Sequence, residues 1–161
     1  MAARAIIGIA LGIISAPIIF LFLGGMAPVS FINWIGLITV DFQSFIYLYA
    51  ISGINSMNAP LISVIDGTIS IDAFFAAPFI LAMFTWIIIG MWAGSIERSV
   101  GRGIGVGAGI WLGWLIIELI YLAVFGFIGL FLNLFLEQFY TLLLVIMMAA
   151  MFGAITKSEE F

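Results

Sequence analysis

Four stretches of this chain are each near the length that a membrane imposes on a helix, and almost no charge interrupts them. They cover about residues 5–24, 78–96, 104–125 and 139–155. A helix needs about 20 apolar residues to cross the hydrocarbon layer. Inside that layer each backbone N–H and C=O must be paired within protein, and a continuous apolar run achieves this as a helix. The pattern therefore predicts an all-α integral membrane protein with about four transmembrane helices, forming a single polytopic domain over residues 1–161. The first run, Ala5 to Gly24, is longer than the apolar core of a signal peptide, which spans about 7–15 residues. It is read as the first membrane helix.

Composition agrees with this class. Hydrophobic residues make up 66% of the chain and charged residues 7%, against about 25% charged in soluble domains. So few charges cannot cover a water-facing surface. Cysteine and histidine are both absent. That excludes disulfides, thiolate and imidazole metal sites and histidine-ligated haem, and it removes the commonest general base. No cofactor, metal site or catalytic residue is expected. The net charge is −4 and no basic patch occurs, so nucleic acid is not an expected partner.

The four basic residues set an expected orientation. Arg4 precedes the first span, Arg98 and Arg102 lie between the second and third, and Lys157 follows the fourth. With four crossings all of them fall on one side, as the positive-inside rule asks. Both termini are then cytoplasmic, in what is expected to be a prokaryotic cell membrane.

Residues 25–77 must begin and end on the outer side. Ser30 to Ser52 is apolar, but Asp41, Gln43 and Ser44 fall in its middle. This segment is expected to be an external excursion, lying in the interface or re-entrant against protein. A six-crossing bundle is the alternative. Within the excursion, Leu61 to Asp72 alternates about Asp66-Gly67, a favoured two-residue hairpin turn. A short β-hairpin is expected there. Asn133, Glu137 and Gln138 suggest that the last stretch starts along the membrane surface and enters near Tyr140.

Small residues recur at helical spacing. Gly101, Gly105, Gly109 and Gly113 stand four apart in the third span, as do Gly8 and Gly12 in the first and Gly90 and Gly94 in the second. Such stripes let another helix backbone come close. The run from Gly101 to Gly107 superficially resembles a phosphate-cradling loop. It lacks a following Walker lysine and a preceding strand, so helix packing is the favoured reading.

Glu118 is the one acid set deep in a span. At about 100° per residue it projects roughly opposite the glycine stripe, on the side of Trp111, Trp114 and Tyr121. A carboxylate facing lipid tails is costly, so this helix is expected to have protein or water on both sides. Two roles follow: a neutral acid hydrogen-bonded to a neighbouring helix, which is preferred, or a proton or cation site. Asp41, Asp66, Asp72 and Glu137 with Gln43 fall on the outer side. Turn, cap and rim roles account for them better than calcium ligation does. The tryptophans, including Trp34, Trp86 and Trp92, are read as interface anchors or packing residues.

A glycine-rich helix with a membrane carboxylate resembles the rotor-ring proteolipids of ATP synthases over Gly101 to Glu118. There the two features lie on different helices of a tight hairpin, so the chain is not placed in that family. The expected function is that of a non-catalytic subunit of a larger membrane complex, with other membrane subunits, in a hetero- or homo-oligomer, and lipids as partners. The alternative is a proton or cation channel or transporter component that uses Glu118. An intramembrane enzyme is the least favoured reading.

Overall fold

The computed structural model describes residues 2–25, 30–57, 70, 72, 79–125 and 131–158. They form six helices: α1 (Ala2–Phe22), α2 (Phe31–Val40), α3 (Phe42–Ser56), α4 (Phe79–Glu97), α5 (Val100–Val124) and α6 (Phe131–Ser158). Four of these are long and apolar enough to cross a membrane, over Ala3–Phe22, Ile80–Glu97, Val100–Val124 and Gln138–Lys157. The regular structure among the described residues is thus all helix, with four candidate membrane spans. No strand occurs among the described residues. Apart from Ser70 and Asp72, the segment expected to form a hairpin about Asp66-Gly67 lies outside them.

Local chemistry sets the helix ends. α1 stops at Gly24, whose φ of 89° lies in the left-handed region that glycine enters freely. The Gly24 N–H bonds the Leu21 carbonyl and the Gly25 N–H bonds the Phe20 carbonyl, which closes the helix end in a Schellman arrangement. Ser30 caps α2 by accepting from the Asn33 N–H. Asp41 ends α2 and caps α3, accepting from the Ser44 N–H at 3.1 Å and the Ser44 hydroxyl at 2.5 Å. These bonds hold its carboxyl below the usual range, with the Ser44 hydroxyl contributing most. The polar residues that interrupt the apolar run from Ser30 to Ser52 thus make two short helices in place of one crossing.

α3 does not stand away from the bundle. Its Tyr49 hydroxyl donates to the Ile14 carbonyl at 2.9 Å, near the midpoint of α1. Ser52, Gly53 and Ser56 on its C-terminal half are buried. A side chain at Gly53 would collide with the Trp114 ring. At the last turn, the Ser56 carbonyl accepts the Trp86 indole N–H at 2.8 Å. Helix-end carbonyls lack intrahelical partners, and in this position the indole supplies one. The described part of the excursion is therefore packed against the bundle through α3.

α1 contains Pro17, which is buried. Proline has no N–H, so the carbonyl four residues back, that of Ile13, loses its helical donor. The Trp114 indole N–H fills that position at 3.0 Å. α1 and α5 also meet through small residues: Gly8 faces Val106 and Gly12 faces Ile110, while Gly109 faces Ile9 and Gly113 faces Ile13. α4 and α6 approach more closely still. A Cβ at Gly90 would lie 2.7 Å from the Val145 carbonyl oxygen, and one at Gly94 would meet the Ala149 carbonyl and lie 2.8 Å from the Gly153 N.

α4 and α5 are joined by a tight turn. Arg98 has a φ of 46°, and its N–H bonds the Gly94 carbonyl. This is a left-handed helix ending with an arginine where glycine is usual. The Arg4 guanidinium donates to the Ile96 carbonyl, and Gly153 packs against Ser99. The start of α1, the end of α4, the start of α5 and the end of α6 therefore share one end of the bundle, with Arg4, Arg98, Arg102 and Lys157 on them. Between the helices, Trp86, Ile89, Ile110, Trp111, Trp114, Val145 and Ala149 form a core that is almost wholly inaccessible. Large apolar side chains such as Ile7, Leu11, Leu112, Ile116, Ile120, Met147 and Met151 face outward, as suits a lipid surround.

Candidate functional site

The deepest polar cluster joins α5 to α6. Trp111, Trp114, Glu118 and Leu122 are buried at successive turns of α5. Opposite them on α6, Gln138, Thr141, Val145 and Ala149 continue one register and are all buried.

 The Gln138 side-chain N–H donates to Glu118 Oε1 at 2.8 Å. The Thr141 hydroxyl donates to the Gln138 carbonyl at 2.6 Å and accepts the Trp111 indole N–H at 2.9 Å. Glu118 is 2% exposed and Gln138 1%. Two side-chain hydrogen bonds, Gln138 to Glu118 and Trp111 to Thr141, thus tie two membrane-length helices together, and Thr141 is held to Gln138 through the backbone carbonyl of that residue.

The Glu118–Gln138 pair is incomplete: among the described residues, neither Glu118 Oε2 nor Gln138 Oε1, both buried, has a hydrogen-bond partner. A buried polar atom left unpaired costs about 1–3 kcal/mol, more if it is charged, so two such atoms on one bonded pair mark the place where chemistry is unfinished. Glu97 presents a third, Oε1, at the basic end of the bundle, on a residue 4% exposed.

Glu118 contacts protein, and the partner belongs to the same chain. No second subunit is needed to supply its hydrogen bond. Gln138 opens the last candidate span, Gln138–Lys157, within one helix that runs from Phe131 to Ser158, and its side chain is directed inward onto Glu118. Gln138 shares one helical face with Thr141, Val145, Ala149 and Gly153, which is the signal that it points into the bundle. Trp86, Trp111 and Trp114 are likewise core residues whose indole N–H groups close hydrogen bonds inside the bundle.

The glycine stripe of α5 divides in two. Gly109 and Gly113 lie against α1, whereas Gly101 and Gly105 are exposed, with no atom near the place of a Cβ. Two glycines outside the stripe, Gly103 and Gly107, turn the other way, towards Gly94 and Val145. Asp41 serves as a helix cap and Asp72 is exposed. Asp66 and the Glu137 side chain lie outside the described residues. No protein-family model, curated protein or solved structure matches this chain.

Proposed function

We propose that this chain acts without catalysis, as an accessory or structural subunit that packs into a larger membrane assembly. The observation that carries the reading is the open half of the glycine stripe. Elsewhere in the bundle, glycines at four-residue spacing receive a neighbouring helix, as Gly90 and Gly94 receive α6 and Gly109 and Gly113 receive α1. Gly101 and Gly105 continue the same row and receive nothing from the described residues. A smooth exposed strip on a membrane helix is suited to another helix. In this reading the basic end faces the cytoplasm, with both termini on that side. The test is native mass in mild detergent with co-purifying subunits identified. A defined complex that is lost in Gly105→Leu supports the reading; a monomer in native membranes and in detergent overturns it.

A second reading rests on Glu118. Its unpaired Oε2, beside the unpaired Gln138 Oε1, favours a proton or cation site in a conducting or transporting protein. Ion flux into liposomes that is abolished by Glu118→Gln, with the fold intact, distinguishes this reading from the first.

A further inference from the structure

Glu118 and Gln138 share a deficit that one proton removes. One hydrogen bond already joins them, from the Gln138 amide N–H to Glu118 Oε1. The atoms left over, Glu118 Oε2 and Gln138 Oε1, are the second oxygen of the acid and the only oxygen of the amide. With Glu118 ionised both are acceptors, and neither can serve the other. With Glu118 protonated, the acid gains an O–H donor. A carboxylic acid and a primary amide are planar forks of matching size, able to pair through two parallel hydrogen bonds.

We infer that Glu118 carries a proton on Oε2 and donates it to Gln138 Oε1, so that a closed acid–amide pair clasps α5 to α6. The surroundings favour this neutral form. The Thr141 hydroxyl is engaged with the Gln138 backbone carbonyl and the Trp111 indole, so it does not serve Oε2. The basic residues lie at the other end of the bundle, where α5 begins, and Glu118 stands most of the way along that helix. An ionised carboxylate here has no counter-charge among the described residues, and burial penalises it heavily. A metal cation is a poorer occupant than a proton. Hard cations take about six or more oxygen ligands, and the pair offers the two carboxyl oxygens and one amide oxygen. The inference rests on the α5–α6 pairing and is independent of the subunit reading.

Infrared difference spectroscopy of the whole protein in lipid bilayers at neutral pH tests it. The spectrum of wild type minus Glu118→Gln should contain a protonated-carboxyl C=O stretch and no loss of carboxylate bands. Glutamine keeps the size and retains both a donor and an acceptor towards Gln138, so this variant is expected to fold. In Gln138→Leu the same band should shift to higher frequency, as the acid loses its amide partner. A difference spectrum showing only carboxylate bands overturns the proposal, as does a carboxyl band unmoved by Gln138→Leu. Replacement of the carboxyl band by carboxylate bands on addition of sodium would assign the site to a cation and would also overturn it.

Discussion

The Trp114 indole on α5 donates to the Ile13 carbonyl on α1, the carbonyl that Pro17 deprives of its helical donor. A proline in one helix and a tryptophan on another are thereby a matched pair. Trp114→Phe keeps an aromatic side chain but removes the N–H and the five-membered ring that carries it, and should destabilise the bundle by at least about 1–3 kcal/mol, since it leaves a buried carbonyl unpaired and opens space in the core. Pro17→Ala restores a backbone donor to Ile13, so the cost of Trp114→Phe should shrink in that background. A double-mutant cycle on unfolding in detergent measures the coupling; strictly additive effects would show that the two residues act separately.

Glu118→Leu should destabilise the α5–α6 contact by about 1–3 kcal/mol, because it strands the Gln138 amide in a dry site. Glu118→Gln should cost much less. Unfolding midpoints of the two variants in the same detergent provide the comparison, and equal loss in both would argue against the hydrogen bond as the source.

The glycines should divide by neighbour. Gly94→Ala places a methyl against the Ala149 carbonyl and the Gly153 backbone and should cost about 1–3 kcal/mol, as overpacking does. Gly105→Ala meets open space and should leave the stability of the isolated chain unchanged or slightly raised. Thermal unfolding of the two variants checks this directly.

Asp41 makes the junction of α2 and α3 sensitive to acid. Its carboxyl is held below the usual range by Ser44, so its folded value lies below its unfolded one. The cap's contribution is then fully present above the unfolded value and is lost as pH falls through the folded value. Hydrogen exchange of the first turn of α3 should quicken over that acid interval. In Ser44→Ala, which removes the leading cause of the shift, the change should begin at higher pH.

Single cysteines at Ser99 and Ser70 test the orientation. Ser99 sits in the turn at the basic end of the bundle, and the positive-inside rule places that end in the cytoplasm. An impermeant reagent applied from outside should label Ser70→Cys and spare Ser99→Cys; the reverse pattern would invert the topology.

Hydropathy made the four long helices legible, because a lipid-facing helix needs apolar residues nearly all round and this leaves a strong signal in sequence. Asp41 and Ser44 likewise marked the break between α2 and α3. What lay hidden was who meets whom. The spacing of Gly90 and Gly94 announces a close approach, yet nothing in it names α6 as the neighbour. Glu118 was visible as an anomaly, but its partner was not, because Gln138 beside Glu137 reads as an entry to the membrane surface. Only the register of Gln138 with Val145 and Ala149 gives it away. Pro17 carried a signal that went unused: a proline inside a membrane helix implies an orphaned carbonyl four residues earlier, and hence a donor elsewhere.

The seating of α3 has a consequence for how the chain is made. Its C-terminal turn rests on Trp86 of α4 and Trp114 of α5, both of which lie downstream of it in the chain. When α3 leaves the ribosome it can already meet α1 through Tyr49 and Ile14, but the seat of its C-terminal turn does not yet exist, and the carbonyls there have only water to pair with. Order of synthesis and order of folding therefore diverge for this turn, which is expected to settle late, after α5 has closed on α1. Nascent chains arrested before Trp114 emerges should leave the C-terminal turn of α3 open to protease, and full-length chains should protect it. That turn thus acts as a late reporter of assembly, fully seated only once the bundle around it is whole.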